Sequence, residues 1–406
     1  MISPPTTPLY ILGAGSIGLL VASSIRLKNP TFPVRLLLRS THKNKIKTYG
    51  RELKINHIND KIVIQTDPRI SKLIQSKLDY DFHAQSKDKT EHYSSNNNTY
   101  VLVAMKSMGD NTITLVDIPA EIIQNENDKN ECSIRNLLLT TKAIDARKAL
   151  SSIAHRFVEP TSQIIVLCNG TLAVLDELRT NHFKAHLISA SITHGANRGS
   201  EDDFHDIDSI FERNNCFHVV HAGIGSIYIE NHCSADILDV LQSAGLNAYL
   251  LPEEHMNMMH WKKLVANCTI NPLTALRKVL NGQLAVSSNN MNDYAEKNIT
   301  QPRYMDKNIL SELVYELSQV AQAESFSKSP ETYLSFDNLL GFVQGIIRDT
   351  AHNRSSMLQD VDDQRITEVD YLNGYVVMLG RKYGIDMNAN EYIVEEIKRV
   401  ERSFTS

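Results

Sequence analysis

Short apolar runs in the first half of the chain give way to long helical periodicities in the second. Residues 9–12 (LYIL) form an apolar run that ends in glycine, and residues 17–27 then carry a helical pattern. The runs at 34–38, 100–104 and 163–167 lack polar alternation, as strands buried on both faces do. Their alternation with helical stretches predicts a parallel sheet of βαβ units. After Leu251-Pro252 the periodicity predicts helices at 255–282, 307–324, 337–351, 355–383 and 390–404. The expectation is an α/β, Rossmann-type, doubly wound domain over residues 1–250, followed by an all-α domain over residues 251–406. Polar stretches at 86–99, 125–131 and 287–303 interrupt the pattern and read as solvated insertions.

Composition narrows the picture modestly. The 406 residues are 42% hydrophobic and 22% charged, with a formal net charge of -5. That balance fills a globular core and argues against a nucleic-acid binder, which more often carries a basic excess. Five scattered cysteines, with no CxxC pair, point to free thiols in a reducing compartment and to no metal site. The N-terminus lacks a basic, apolar leader pattern and no run of 18 apolar residues occurs, so a cytoplasmic protein without a membrane span is expected.

Gly13-Ala14-Gly15-Ser16-Ile17-Gly18 is a G-x-G-x-x-G sequence placed between an apolar run and a helical pattern. Gly13 allows the tight turn, Gly15 lets the backbone approach a pyrophosphate, and Gly18 lets helix and strand pack closely. The helix start supplies N–H groups and partial positive charge. A dinucleotide is therefore the expected ligand. An NAD site ends its second strand in Asp or Glu, which accepts from the ribose 2′-OH. Here that strand ends in Arg39-Ser40. A guanidinium can hold a 2′-phosphate in bidentate fashion, so NADPH is the expected cofactor. The competing reading of Arg39 is a solvated arginine.

Residues 260–275 (HWKKLVANCTINPLTA) place Lys263, Asn267 and Asn271 at i, i+4 and i+8. On a helix they share one face, among apolar neighbours. The face is read either as solvated or as a ligand surface, since buried amides and ammonium groups need partners. A substrate with a carboxylate and a carbonyl would provide them.

Taken together, GAGSIG at 13–18, Lys106 in VAMKS, Asn169-Gly170, THGA at 193–196, residues 261–275 and residues 353–377 resemble the ketopantoate reductases. The resemblance runs from near the N-terminus to about residue 400. It implies that Lys263 is the catalytic lysine, protonating a ketone oxygen as hydride arrives from NADPH, with Glu368 in support. It further implies substrate-binding roles for Asn169, Asn267, Asn271, Asn353 and Ser356, and cofactor-side roles for Lys106 and Asn169. Plain readings stand beside these. Ser356 opens a capping-box pattern with Gln359, Glu368 could pair with Arg365, and Asn353 could be a loop residue. For His194 a structural or cofactor-adjacent role is favoured over acid catalysis. Pro272 removes a backbone donor inside the helical run and is a candidate kink.

The resemblance implies reduction of 2-dehydropantoate to (R)-pantoate on the route to pantothenate and coenzyme A, in a possible homodimer. The alternatives are a reductase of another small 2-keto acid and a non-catalytic NADPH-binding regulator.

Overall fold

The computed structural model describes residues 7–45, 47–48, 62–65, 99–107, 113–123, 132–157, 161–180, 185–199, 203–204, 216–286, 302–306, 308–324 and 333–405. Most of the three polar insertions lies outside these residues. The chain forms two compact units, one of residues 1–168 and 178–251, the other of residues 169–177 and 252–406.

The first unit is a mixed sheet with helices. Its strands are β1 (Leu9–Leu12), β2 (Val34–Leu38), β3 (Lys47–Thr48), β4 (Ile62–Gln65), β5 (Thr99–Ser107), β6 (Ile113–Ile122) and β7 (Asn136–Leu139). These are followed by β8 (Gln163–Val166), β9 (His186–Ile192), β10 (Gly195–Asn197), β11 (Cys216–Gly223), β12 (Ile227–Glu230) and β13 (Ala248–Leu251). Helix α1 (Ser16–Lys28) follows β1 and α2 (Ala143–Ser151) follows β7. The order is β10-β11-β5-β6-β2-β1-β7-β8-β9-β12-β13, with β3 on β5 and β4 on β6. From β6 through β9 the ladder is parallel, and its strands are apolar because helices or chain cover both faces.

The flanks depart from the predicted βαβ rhythm. The 100–104 run lies in β5, which runs antiparallel to β6. Toward the other edge β12 is antiparallel to β9. The core of this unit gathers Leu9, Ile11, Leu19, Leu36, Val103, Leu138 and Ile165, all fully buried.

The second unit is helical. Helix α3 (Thr171–Thr180) begins in it, α4 (Ala235–Ser243) belongs to the first unit, and the second unit goes on with α5 (Glu253–Arg277), α6 (Gln283–Val286) and α7 (Ile309–Glu324). It continues with α8 (Phe336–Asp349), α9 (Ser356–Asp362), α10 (Asn373–Tyr383) and α11 (Asn388–Arg402). Its core centres on α5 through Trp261, Val265, Cys268 and Leu273, packed with Leu317, Val343, Val376 and Ile393. The single helix predicted over 355–383 is two. Gln364 adopts a left-handed φ of 52°, and Thr367 donates through N and Oγ1 to Glu401 Oε1 at 2.8 and 2.7 Å, which takes the chain out of the helical path. No helix among the described residues is long and apolar enough to cross a membrane.

Candidate functional site

In the first unit, the turn after β1 is shaped by glycine. Gly13 has φ 123°, and a Cβ there would lie 2.7 Å from the Thr141 nitrogen. A Cβ on Gly18 would lie 1.9 Å from the Gly13 carbonyl oxygen. Thr140, just after β7, donates through Oγ1 to that same carbonyl at 3.0 Å, tying the two strand ends together. Gly15 is the N-cap of α1, with no side-chain cap bond and no acid in the first turn. An uncapped, acid-free helix start at a glycine turn fits a diphosphate.

β1 is flanked by β2 and β7, and ligands of such sheets sit outside the carboxyl ends of strands where the order reverses. Arg39 follows β2 at that edge and is half-exposed, with Nη2 2.6 Å from Asp145 Oδ2 on α2. Of Ser40 the backbone alone is described, in a short 3-10 turn. The lysine after β7 is Lys142, the N-cap of α2, which the sequence reading passed over. Its strand is only four residues long, too brief to stand out among turn-like neighbours. Lys106 instead lies on antiparallel β5, with Nζ 2.9 Å from Asp203 Oδ1. His194 is buried: its Nε2 bonds the Leu246 carbonyl and its Nδ1 faces His221 Nε2, each at 3.0 Å, while Gly225 N–H donates to Nδ1. These contacts hold loops together and describe a structural histidine.

In the second unit, Lys263, Asn267 and Asn271 lie on α5 at the predicted spacing. Lys263 and Asn267 are half-buried and Asn271 is buried. Asn271 Nδ2 donates to Ser356 Oγ at 3.4 Å. Ser356 is the first residue of α9 and not its cap: Ser355 caps, its Oγ accepting from Leu358 N at 3.1 Å. Thr274 Oγ1 on α5 donates to Ser355 Oγ at 2.6 Å, which fixes α9 against α5.

Glu368 is buried, and its Oε2 accepts from Asn169 Nδ2 at 3.2 Å. Arg365 pairs with Asp360 and Asp363, so the alternative pairing with Glu368 is not the one formed. Asn169 is brought here because its segment is bound to the helical unit. Tyr371 Oη donates to Glu177 at 3.0 Å, Tyr375 Oη donates to Asp176 at 2.7 Å, and Gly170, at φ 63°, packs on the Tyr371 backbone. Asn353 is an exposed residue of the loop after α8, its carbonyl accepting from Asn281 N at 3.1 Å.

Pro272 lies inside α5, and its missing N–H would orphan the carbonyl of Cys268. The fully buried Asn373 donates to that carbonyl through Nδ2 at 2.9 Å. One turn before Lys263, burial pushes the His260 imidazole down to about 3, and the lysine's positive charge pushes the same way. The helix therefore presents a neutral ring, a lysine and two amides in succession.

The ketopantoate reductase PanE/ApbA family matches residues 9–233, and its C-terminal part, ketopantoate reductase PanE/ApbA C terminal, matches residues 255–401. The 2-dehydropantoate 2-reductase of Salmonella typhimurium is 29% identical over 273 residues, which are 66% of this chain and 75% of that protein. That of Vibrio cholerae is 29% identical over 301 residues, 72% of this chain and 88% of that protein. Among solved structures, a PanE/ApbA family ketopantoate reductase from Ralstonia eutropha has a TM-score of 0.65 at 17% identity, covering 98% of this chain and 100% of that one. D-mandelate dehydrogenase, solved with NADH and anilino(oxo)acetate, has a TM-score of 0.63 at 16% identity, covering 98% and 99%. These two share the fold.

Proposed function

The chain belongs to the ketopantoate reductase family and is an oxidoreductase for a nicotinamide dinucleotide and a small molecule; from that premise we propose that it reduces 2-dehydropantoate to (R)-pantoate with NADPH. The observation that carries this reading is the polar set built around α5. Lys263 and Asn267 stand on one face with Asn271, which is bonded to Ser356, and the same unit holds the Asn169–Glu368 pair. A keto acid has a carboxylate and a carbonyl to satisfy such groups, and ketopantoate adds a hydroxyl.

The dinucleotide, when bound, supplies the hydride. Reduction places negative charge on the ketone oxygen, and a cationic donor stabilises that charge and then delivers a proton. Lys263 is assigned that role, and Glu368 is assigned to hold substrate and lysine in place. Asn267 and Asn271 bind substrate, joined by Ser356 and by Asn353. On the cofactor side, Gly13 to Gly18 receive the diphosphate and Arg39 with Ser40 receives the 2′-phosphate. Lys142 takes the place first given to Lys106, because it follows a strand that flanks β1.

A second reading, reduction of another 2-oxo acid, is favoured by the fold shared with D-mandelate dehydrogenase. One assay separates them: NADPH oxidation at 340 nm with ketopantoate and, in parallel, 2-ketoisovalerate, which lacks the hydroxyl. Turnover strongly favouring ketopantoate is the expected result. Equal or better turnover of 2-ketoisovalerate would favour the second reading, and none with either would overturn both.

A further inference from the structure

Three basic side chains of the first unit, Arg198, Lys45 and His42, gather at the Phe217 ring, and Arg198 also reaches the glycine turn. Arg198, just after β10, donates through Nη2 to the carbonyl of Ala14 inside the G-x-G-x-x-G sequence. Its guanidinium carbon also lies 5.7 Å from the centroid of the Phe217 ring on β11. Lys45 Nζ stands 4.5 Å from the centroid of the same ring, and donates to the Cys216 carbonyl at 2.9 Å. His42 meets that ring edge-on, with centroids 5.4 Å apart. Burial first, and then the charges of Arg198, Lys45 and Arg39, push the His42 imidazole down.

The diphosphate of a dinucleotide is already served by the start of α1. In this architecture the adenosine ribose passes between the glycine turn and the end of the second strand. A cation bonded to Ala14 of the glycine turn and Arg39 after β2 would therefore stand at the two ends of that path. An unmodified ribose 2′-OH calls for an acceptor there, whereas a 2′-phosphate calls for several donors of positive charge. The Phe217 ring packs on Arg198 through its face, a geometry that directs the guanidinium N–H groups to in-plane bonding.

We propose that Arg198 is a cofactor-specificity residue that binds the 2′-phosphate of NADPH together with Arg39; this rests on the NADPH reading above. On binding, the neutral Ala14 carbonyl is exchanged for a phosphate oxygen, a stronger partner for a guanidinium. Arg39 likewise exchanges Asp145 for phosphate, so Asp145 acts as a counter-charge that competes with the ligand.

The test is calorimetric titration of the full chain with NADPH, NADH and 2′,5′-ADP, for the wild type, Arg198→Met and Arg198→Lys. Arg198→Met is expected to weaken NADPH and 2′,5′-ADP by about ten-fold or more, the loss of one charge-assisted bond, with NADH held within about two-fold. Arg198→Lys should fall between, and it carries the test alone if the methionine variant does not fold. Equal weakening of NADH and NADPH would assign Arg198 to loop shape and overturn the inference, as would no change in either. A wild type that prefers NADPH while Arg198→Met keeps that preference refutes the inference alone. A wild type with no preference refutes the NADPH reading and this inference with it.

Discussion

His260 and Lys263 stand one turn apart on α5, and the lysine's charge opposes protonation of a ring already disfavoured by burial. In an unfolded chain that ring titrates near pH 6.5. Below about 6.5 the unfolded chain takes up a proton that the folded chain refuses until about pH 3. Stability from this group is thus full above about pH 6.5 and declines as pH falls, by about 1.4 kcal/mol per unit. His260→Gln should flatten the pH dependence of the urea unfolding free energy between pH 6 and 4. An unchanged slope would mean that the ring is hydrated or paired when folded. For Lys263, replacement by alanine is expected to lower kcat by roughly 10²–10⁴. Dinucleotide affinity should persist, and near wild-type turnover would remove the lysine from the chemistry.

At the scale of elements, α5 tolerates its proline because a side chain from α10 takes over the orphaned carbonyl. Asn373→Ala should cost about 1–3 kcal/mol, the penalty for a buried acceptor left unpaired. In a Pro272→Ala background the restored N–H can bond Cys268, so the same change should cost less. Additive free energies in that double-mutant cycle would disprove the exchange. The glycine turn gives a second prediction. Gly18→Ala must push Gly13 or Thr140 aside, and should weaken dinucleotide binding along with stability. Retained affinity would show that the turn can give way.

That glycine turn was legible in sequence because its requirements are local: positive φ at Gly13, close packing at Gly18. The spacing of Lys263, Asn267 and Asn271 was legible because one helix carries all three. Strand β6 was not, since it buries Asp117, whose charge is met at 3.1 Å by Arg26, 91 residues away. The cap of α9 was misread by one residue, because Ser355 and Ser356 both offer hydroxyls and only the bond to Leu358 distinguishes them. The pairing of Asn169 with Glu368 spans 199 residues, beyond any periodicity.

At the scale of the whole molecule, the helical unit is assembled from two stretches of chain. Ala173 belongs to its hydrophobic core, and Tyr371 and Tyr375 find their carboxylate partners on the same short stretch. A cut at residue 251 would therefore leave the helices incomplete. Residues 252–406 expressed alone should melt lower than the same fragment carrying residues 169–177 on an N-terminal linker. The expected gap is about 4 °C or more, at roughly 2–4 °C per kcal/mol for a domain of this size. Coincident melting curves by circular dichroism would show that the short segment adds nothing.

The same two-piece assembly orders events on the ribosome. The bond from Tyr375 to Asp176 joins residues 199 apart, so α3 leaves the exit tunnel long before its partners are translated. At about 5–20 residues per second that wait lasts on the order of 10–40 s. Throughout it Leu172 and Ala173 lack the helices that bury them, so this stretch keeps its apolar surface in water until the last helices are made.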